Sequence, residues 1–248
     1  MQQGVGFFVK IFSSEEYRNE FLKGNLYMNP LKYFIDFEDE HSGNVGDKHE
    51  ALSAWLQPSE MRMIFKFGDK EFEIPSSDIA APIAIKRTHF DSVNVLCLMV
   101  LHSHGIPLNG IISAEQVELL KDYFAIPEDV VNLGEYAVVI PNTGLFLEKV
   151  KAASRQLVDN GEALKMTAKT VKYYDQSQTL SLTNEEEAIF HKQKSYAHQK
   201  EFRISLDRGK GEVSPYVLKV GDLSKIAHPV MTKDLNSSFQ LEFTPDSE

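Results

Sequence analysis

A chain of 248 residues, 42% hydrophobic and 25% charged, has the composition of a globular protein and enough length to bury a substantial core. Its net charge of −10 opposes adhesion to nucleic acid through a broad cationic face, because phosphate repulsion would dominate. The single cysteine, Cys97, excludes an internal disulfide and a multi-cysteine zinc site, and its apolar surroundings mark it as a plain core residue. The longest apolar run, 93–101, is far too short to span a membrane. The start, Met1-Gln2-Gln3-Gly4, lacks the basic-then-apolar pattern of a secretory signal, so a cytoplasmic setting is expected.

Residues 5–12 read as a first strand. A short helix capped by Ser13 or Ser14 follows, with Glu15 and Glu16 in its first turn and Gly24 at its end. Residues 25–29 form a second strand, stopped by Pro30. The stretch 36–50 is an acidic loop holding Asp36, Glu38, Asp39, Glu40, Asp47 and Glu50 with His41 and His49; it lacks the regular spacing of a calcium loop. Met61, Met63, Phe65 and Phe67 alternate before a Gly68-Asp69 turn into Phe72 and Ile74, which predicts a hairpin. Residues 93–101 read as a central strand buried on both faces.

Ser113 and Gln116 form a capping box for a helix to about Phe124. A strand at 135–140, a helix at 143–160 closed by Gly161, and a strand at 169–175 come next. Thr183 and Glu186 suggest a second capping box and a helix over 184–192. From Glu201 the alternation is strict: Phe202, Ile204 and Leu206 face one way, Glu201, Arg203 and Ser205 the other. A solvated edge strand would explain that pattern, and so would a carboxylate buried for chemistry. A last strand at 216–220 precedes a polar tail. The order of elements predicts an α+β protein, with one domain over 1–235 and a tail over 236–248.

Phosphate loops of the G-x-x-x-x-G-K-[ST] and G-x-G-x-x-G kinds are absent, as are G-x-S-x-G and H-E-x-x-H. His102-Ser103-His104 offers two imidazoles but no third metal ligand, so no metal is expected. Lys192, Lys194, Lys200, Arg203, Arg208 and Lys210 crowd one stretch and read first as a solvated charged face. Tyr27, Tyr33, Tyr173, Tyr174 and Tyr196 are stacking candidates for a base or nicotinamide ring, though tyrosine is also common at half-buried strand positions.

Several landmarks recur in a characteristic order. They are Leu22-Lys-Gly24-Asn-Leu-Tyr-Met-Asn29-Pro30, then Tyr33-Phe-Ile-Asp36-Phe-Glu38 and Gly46-Asp47-Lys-His-Glu50, then Lys172-Tyr173-Tyr174-Asp175 and Lys194-Ser-Tyr196-Ala-His-Gln-Lys-Glu201-Phe-Arg203-Ile. This succession, over residues 7–220, resembles an uncharacterised prokaryotic family found beside prophage and abortive-infection genes. Its pattern runs leu-x-x-gly-x-leu-trp-phe-ser-x-pro, asn-asp-pro-phe-glu, and lys-x-x-x-trp-x-tyr-glu-x-glu-trp-arg.

The family looks related to the ADP-ribosyltransferase fold. The resemblance therefore implies a split, bent, mixed or antiparallel β core with flanking helices, and NAD as co-substrate. It implies a triad of Lys10, Asn29 and Glu201, with Tyr27, Tyr33, Tyr196 and Arg203 at the cofactor. Lys10 stands where Arg or His is usual, Asn29 replaces Ser, and asn-asp-pro is matched only by Ile35-Asp36-Phe37. The function implied is transfer of ADP-ribose to a macromolecular acceptor, nucleic acid or protein, by a phage-defence toxin that an antitoxin would restrain. Two alternatives stand beside it: a binding module that keeps the fold without the chemistry, and a metal-dependent hydrolase or nuclease built on the acidic loop.

Overall fold

The computed structural model describes residues 6–37, 46–107 and 112–238. The chain opens with β1 (Gly6–Phe12) and α1 (Glu15–Leu22), where Ser14 Oγ accepts the Tyr17 N–H and caps the helix. β2 (Asn25–Pro30) runs straight into α2 (Leu31–Asp36), since Pro30 has no N–H to continue a ladder. There follow β3 (Leu52–Leu56), the hairpin β4 (Met63–Phe67) and β5 (Lys70–Ile74), β6 (Ile83–Lys86) and the long β7 (Asn94–His102). α3 (Ala114–Phe124) starts on the expected capping box, with Ser113 and Gln116 exchanging bonds. After α4 (Glu128–Val131) come β8 (Tyr136–Ile140), α5 (Thr143–Asp159) and β9 (Lys165–Thr170). Three short strands, β10 (Lys172–Tyr174), β11 (Leu180–Ser181) and β12 (His191–Gln193), precede β13 (Glu201–Asp207). β14 (Tyr216–Lys219), β15 (His228–Met231) and α6 (Leu235–Ser238) end the described chain.

The molecule is α+β, with mostly antiparallel sheets and several helices; among the described residues only β10 and β12 pair in parallel. The main sheet runs β14–β2–β7–β1–β8–β15, with β13 on the other edge of β7 and β9 beyond it. β13 covers residues 94–99 of β7. The opposite edge of β7 is divided: β1 pairs with residues 99–102, β2 only with Asn94 and Val95. Neither strand pairs with Leu96, Cys97 or Leu98, so the sheet splits there.

Alternation sorts the side chains onto two faces. Phe8, Leu96, Leu98, Ile204 and Leu206 pack beneath Phe146 and Val150 of α5. On the other face, Val9, Met99 and Leu101 meet Leu120 and Phe124 of α3, while Val95 packs with Leu31, Phe90 and Phe190. Cys97 and Arg203 pair on that second face, between its two apolar groups. A polar centre is thus set into a hydrophobic layer. No helix among the described residues is long and apolar enough to cross a membrane.

Three expectations need correction. Residues 184–192 do not form an α-helix: a 3-10 turn at Glu185–Phe190, capped by Asn184 rather than Thr183, leads into β12. The Ile189 carbonyl, which an α-helix would use internally, accepts from Arg203 instead. The strand expected over 169–175 breaks at Val171, whose N–H bonds to the Glu201 carbonyl. Asn236, placed in the tail by composition, bonds both ways to the Ile126 backbone. Of the acidic loop, residues 38–45 lie outside the described ones.

Candidate functional site: a buried ionic centre

β13 is an interior strand, so its polar face meets protein instead of water: Glu201 is 5% exposed and Arg203 0%. Its start is fixed by Lys200. That residue adopts a left-handed conformation (φ 44°) and donates from Nζ to the carbonyls of Asp122, Tyr123 and Ala125 at 3.1, 3.1 and 3.0 Å. These carbonyls end α3, where a helix leaves acceptors unpaired. The expectation of a solvated basic face fails for this stretch. Lys192 and Arg203 are buried, Arg208 bonds Asn94 and Ser214, and Lys194 reaches outward to Asp175.

Four charges meet on the buried face. Arg203 Nε donates to Glu201 Oε1 at 2.7 Å, and its terminal nitrogens donate to both oxygens of Glu50 at 2.7 and 3.3 Å and to the Ile189 carbonyl at 2.5 Å. Lys192 Nζ donates to Glu201 Oε2 at 3.1 Å and to Gln199 Oε1 at 2.9 Å, and lies 3.6 Å from Glu50. Two carboxylates and two cations balance, which is what makes complete burial tolerable. Tyr173 accepts the Glu201 backbone N–H at 2.8 Å.

Burial alone would raise the Glu201 pKa, but Arg203 and then Lys192 outweigh it and hold the carboxyl well below its usual range. Burial opposes the charge on Lys192 and Arg203 too, yet Glu201 and Glu50 raise both. Glu201, Lys192 and Arg203 therefore stay charged across the physiological range. Cys97 is only partly buried and lies near enough to Glu201 to help hold it ionised; burial, then Glu201, pushes the thiol up to about 12, so it is no nucleophile.

Glu50 arrives from a turn in which its N–H bonds to the Asp47 carbonyl, and Ala51 follows in a left-handed conformation (φ 57°). Asp47 is buried; its Oδ1 accepts the His49 N–H at 2.8 Å, while Oδ2 has no partner. Burial, reinforced by Glu50, raises its pKa to about 6. The buried Tyr174 hydroxyl lies beside the Gln193 side chain.

The residues singled out from sequence fare unequally. Glu201 and Arg203 share the centre. Lys10 lies on β1 just past its pairing with β7, beside the split; burial lowers its pKa, with Cys97 and Glu201 opposing. Asn29 is not brought to Glu201. It faces Val95 while Glu201 faces Met99, four residues or about 13 Å along β7. Tyr196 is close by, its hydroxyl donating to the Gly46 carbonyl and its ring 5.0 Å from Lys192 Nζ. Tyr27 is exposed opposite Val217, and Tyr33 is exposed against Phe34 and Phe37. Asp36 pairs with its helix neighbour Lys32.

In the sequence, Glu50 and Asp47 read only within the acidic loop and Lys192 only within a basic run, so none is placed beside Glu201. The signal for the acids is their place in the acidic loop. Lys192 had none beyond its place in a basic run.

Among the described residues, no three His, Cys, Asp or Glu side chains gather to hold a metal. A cavity of about 100 Å3 lies between β9, β13 and the 185–190 turn, lined by His89, Lys165, Glu186, Phe190, Ser205 and Asp207. It is smaller than the roughly 300–1,000 Å3 of a typical ligand site and lies toward the far end of β13 from Glu201. Compared with family models, curated proteins and solved structures, the chain matches none.

Proposed function

We propose that the centre around Glu201 breaks the nicotinamide–ribose bond of NAD and passes ADP-ribose to a macromolecular acceptor, as a cytoplasmic toxin of phage defence would. One observation carries the reading: a buried carboxylate that its neighbours hold ionised. Bond breaking builds positive charge on the ribose, and a fixed negative charge in a low-dielectric site stabilises that charge without waiting for solvent to reorganise. Lys10, at the split in the sheet, would supply a cation toward the diphosphate, and Tyr196 an aromatic face toward the nicotinamide. Arg203 then orients Glu201 rather than binding NAD, since four of its N–H bonds are spent inside the protein.

The test uses NAD labelled in the adenylate half, incubated with the protein and cell lysate and followed into protein and nucleic-acid fractions. Glu201→Gln is expected to cut labelling by roughly a hundredfold or more per folded molecule. Normalising to folded protein matters, because the substitution also leaves Lys192 and Arg203 with a single carboxylate. Full labelling by Glu201→Gln would remove the carboxylate from the chemistry.

A second reading, a binding module without catalysis, is favoured by a different observation. Both Glu201 oxygens already accept from cations, and Asn29 stands apart. It predicts no labelled product and, if NAD is not its ligand, no NAD-induced rise in melting temperature, whereas NAD at a hundred times its Kd stabilises a binder by about 2.7 kcal/mol.

A further inference from the structure

We propose that Asp47 is the proton acceptor of this centre, taking the proton from the hydroxyl that attacks the ribose carbon; the assignment rests on the NAD-cleaving reading above. Three observations lead to it.

The first is that Asp47 is buried with one carboxylate oxygen unused by the turn it closes. Every other acid of the centre is held by a cation: Glu201 by Arg203 and Lys192, Glu50 by Arg203. Asp47 is 1% exposed with one oxygen bonded only to the His49 N–H and the other to nothing. An unpartnered buried acceptor weakens a fold, so a purely structural origin is a poor account of it.

The second is that other costs collect at the same place. Ala51 follows Glu50 and Lys200 precedes Glu201, both in the left-handed region. Two of the three non-glycine residues with positive φ among those described thus flank the two acids that grip Arg203. The Tyr174 hydroxyl lies beside Gln193, and close enough for Asp47 and Glu50 to act on its titration. Strain and unmet bonds persist where surrounding structure imposes them, and they gather at working sites.

The third is titration. The charged and titratable groups facing Asp47 are Glu50, Lys192, Arg203 and Tyr174. Burial and Glu50 raise Asp47 to about 6, while Glu201 is held ionised. Two carboxylates pushed in opposite directions divide the roles: one a fixed charge, the other a base poised near neutrality.

The step balances. The bond between ribose C1′ and the nicotinamide nitrogen breaks, and its electron pair returns to the ring nitrogen, giving neutral nicotinamide. A bond forms from the acceptor oxygen to C1′, the acceptor proton passes to Asp47 Oδ2, and Asp47 later releases it to solvent.

The probe is NAD alone in buffer, with water as the acceptor and nicotinamide release as the readout. Wild-type kcat should fall on the acid side with a midpoint near pH 6. Asp47→Asn should lower kcat by roughly a hundredfold with KM nearly unchanged, and should abolish that acid limb. Its melting temperature at pH 7.5 should not fall. The raised pKa means that the native state holds its proton longer than the unfolded chain, so ionised Asp47 costs stability as pH climbs from about 4 to 6. Removing the charge should therefore stabilise above pH 6 and do nothing below pH 4. An Asp47→Asn variant with wild-type turnover and an intact acid limb overturns the assignment while leaving the NAD reading standing. A variant that loses turnover only in proportion to lost folded protein does the same. Wild-type protein that releases no nicotinamide, either in buffer or with cell lysate added, brings both down.

Discussion

Arg203→Met is expected to destabilise the protein by about 3–5 kcal/mol, the cost of opening a buried ionic cluster from one side. The guanidinium is wholly buried and bonds two carboxylates and a carbonyl. Methionine fills most of the space but leaves Glu50 and Glu201 facing each other with Lys192 as their only close cation, and leaves the Ile189 carbonyl without its donor. For a chain of this size the melting temperature should drop by roughly 6–20 °C. A compensating change separates lost charge balance from lost packing. Arg203→Met with Glu50→Gln keeps one carboxylate on one ammonium and should recover part of the loss, measurable by urea unfolding of the singles and the double. A drop under 2 °C for the single variant would mean that the cluster is open to water and that its members are not mutually dependent.

Gly24→Ala is expected to cost roughly 3 kcal/mol or more, from two sources. Gly24 has φ +88°, and a Cβ there would sit 2.0 Å from the Gly221 carbonyl oxygen and 2.5 Å from its carbon. The chain leaving β14 passes over the turn from α1 to β2, with Val220 N–H on the Gly24 carbonyl and Leu223 N–H on the Leu22 carbonyl. A methyl group must push these backbones apart and break that return. Gly161→Ala is the control: its φ is +70°, but nothing lies within 4 Å of an added Cβ. It should show the conformational cost alone, about 1–2 kcal/mol. Equal melting temperatures for the two variants would show that β14 does not hold against the α1–β2 turn as described.

Local signals placed the local elements. The Ser113 capping box, the Gly68-Asp69 turn, Pro30 at the end of β2 and the alternation of β13 are each settled within a few residues, because caps, turns and pleats are short-range physics. β3, β6, β11 and β15, with two to five residues each and no clear alternation, gave no such signal; they exist because partners from elsewhere complete their ladders.

The candidate site divides the same way. Alternation alone put Glu201, Arg203 and Ser205 on one face, but whether that face met water depended on β7 and β9 flanking β13. Glu50 and Arg203 stand 153 positions apart. Nothing within either segment names the other, so the pair, and the unbonded Asp47 beside it, come into being only when the chain is folded. Charge and side-chain type are written residue by residue, whereas the dielectric around a charge is made by everything packed against it, and that surrounding lowers the pKa of Glu201 and raises that of Asp47.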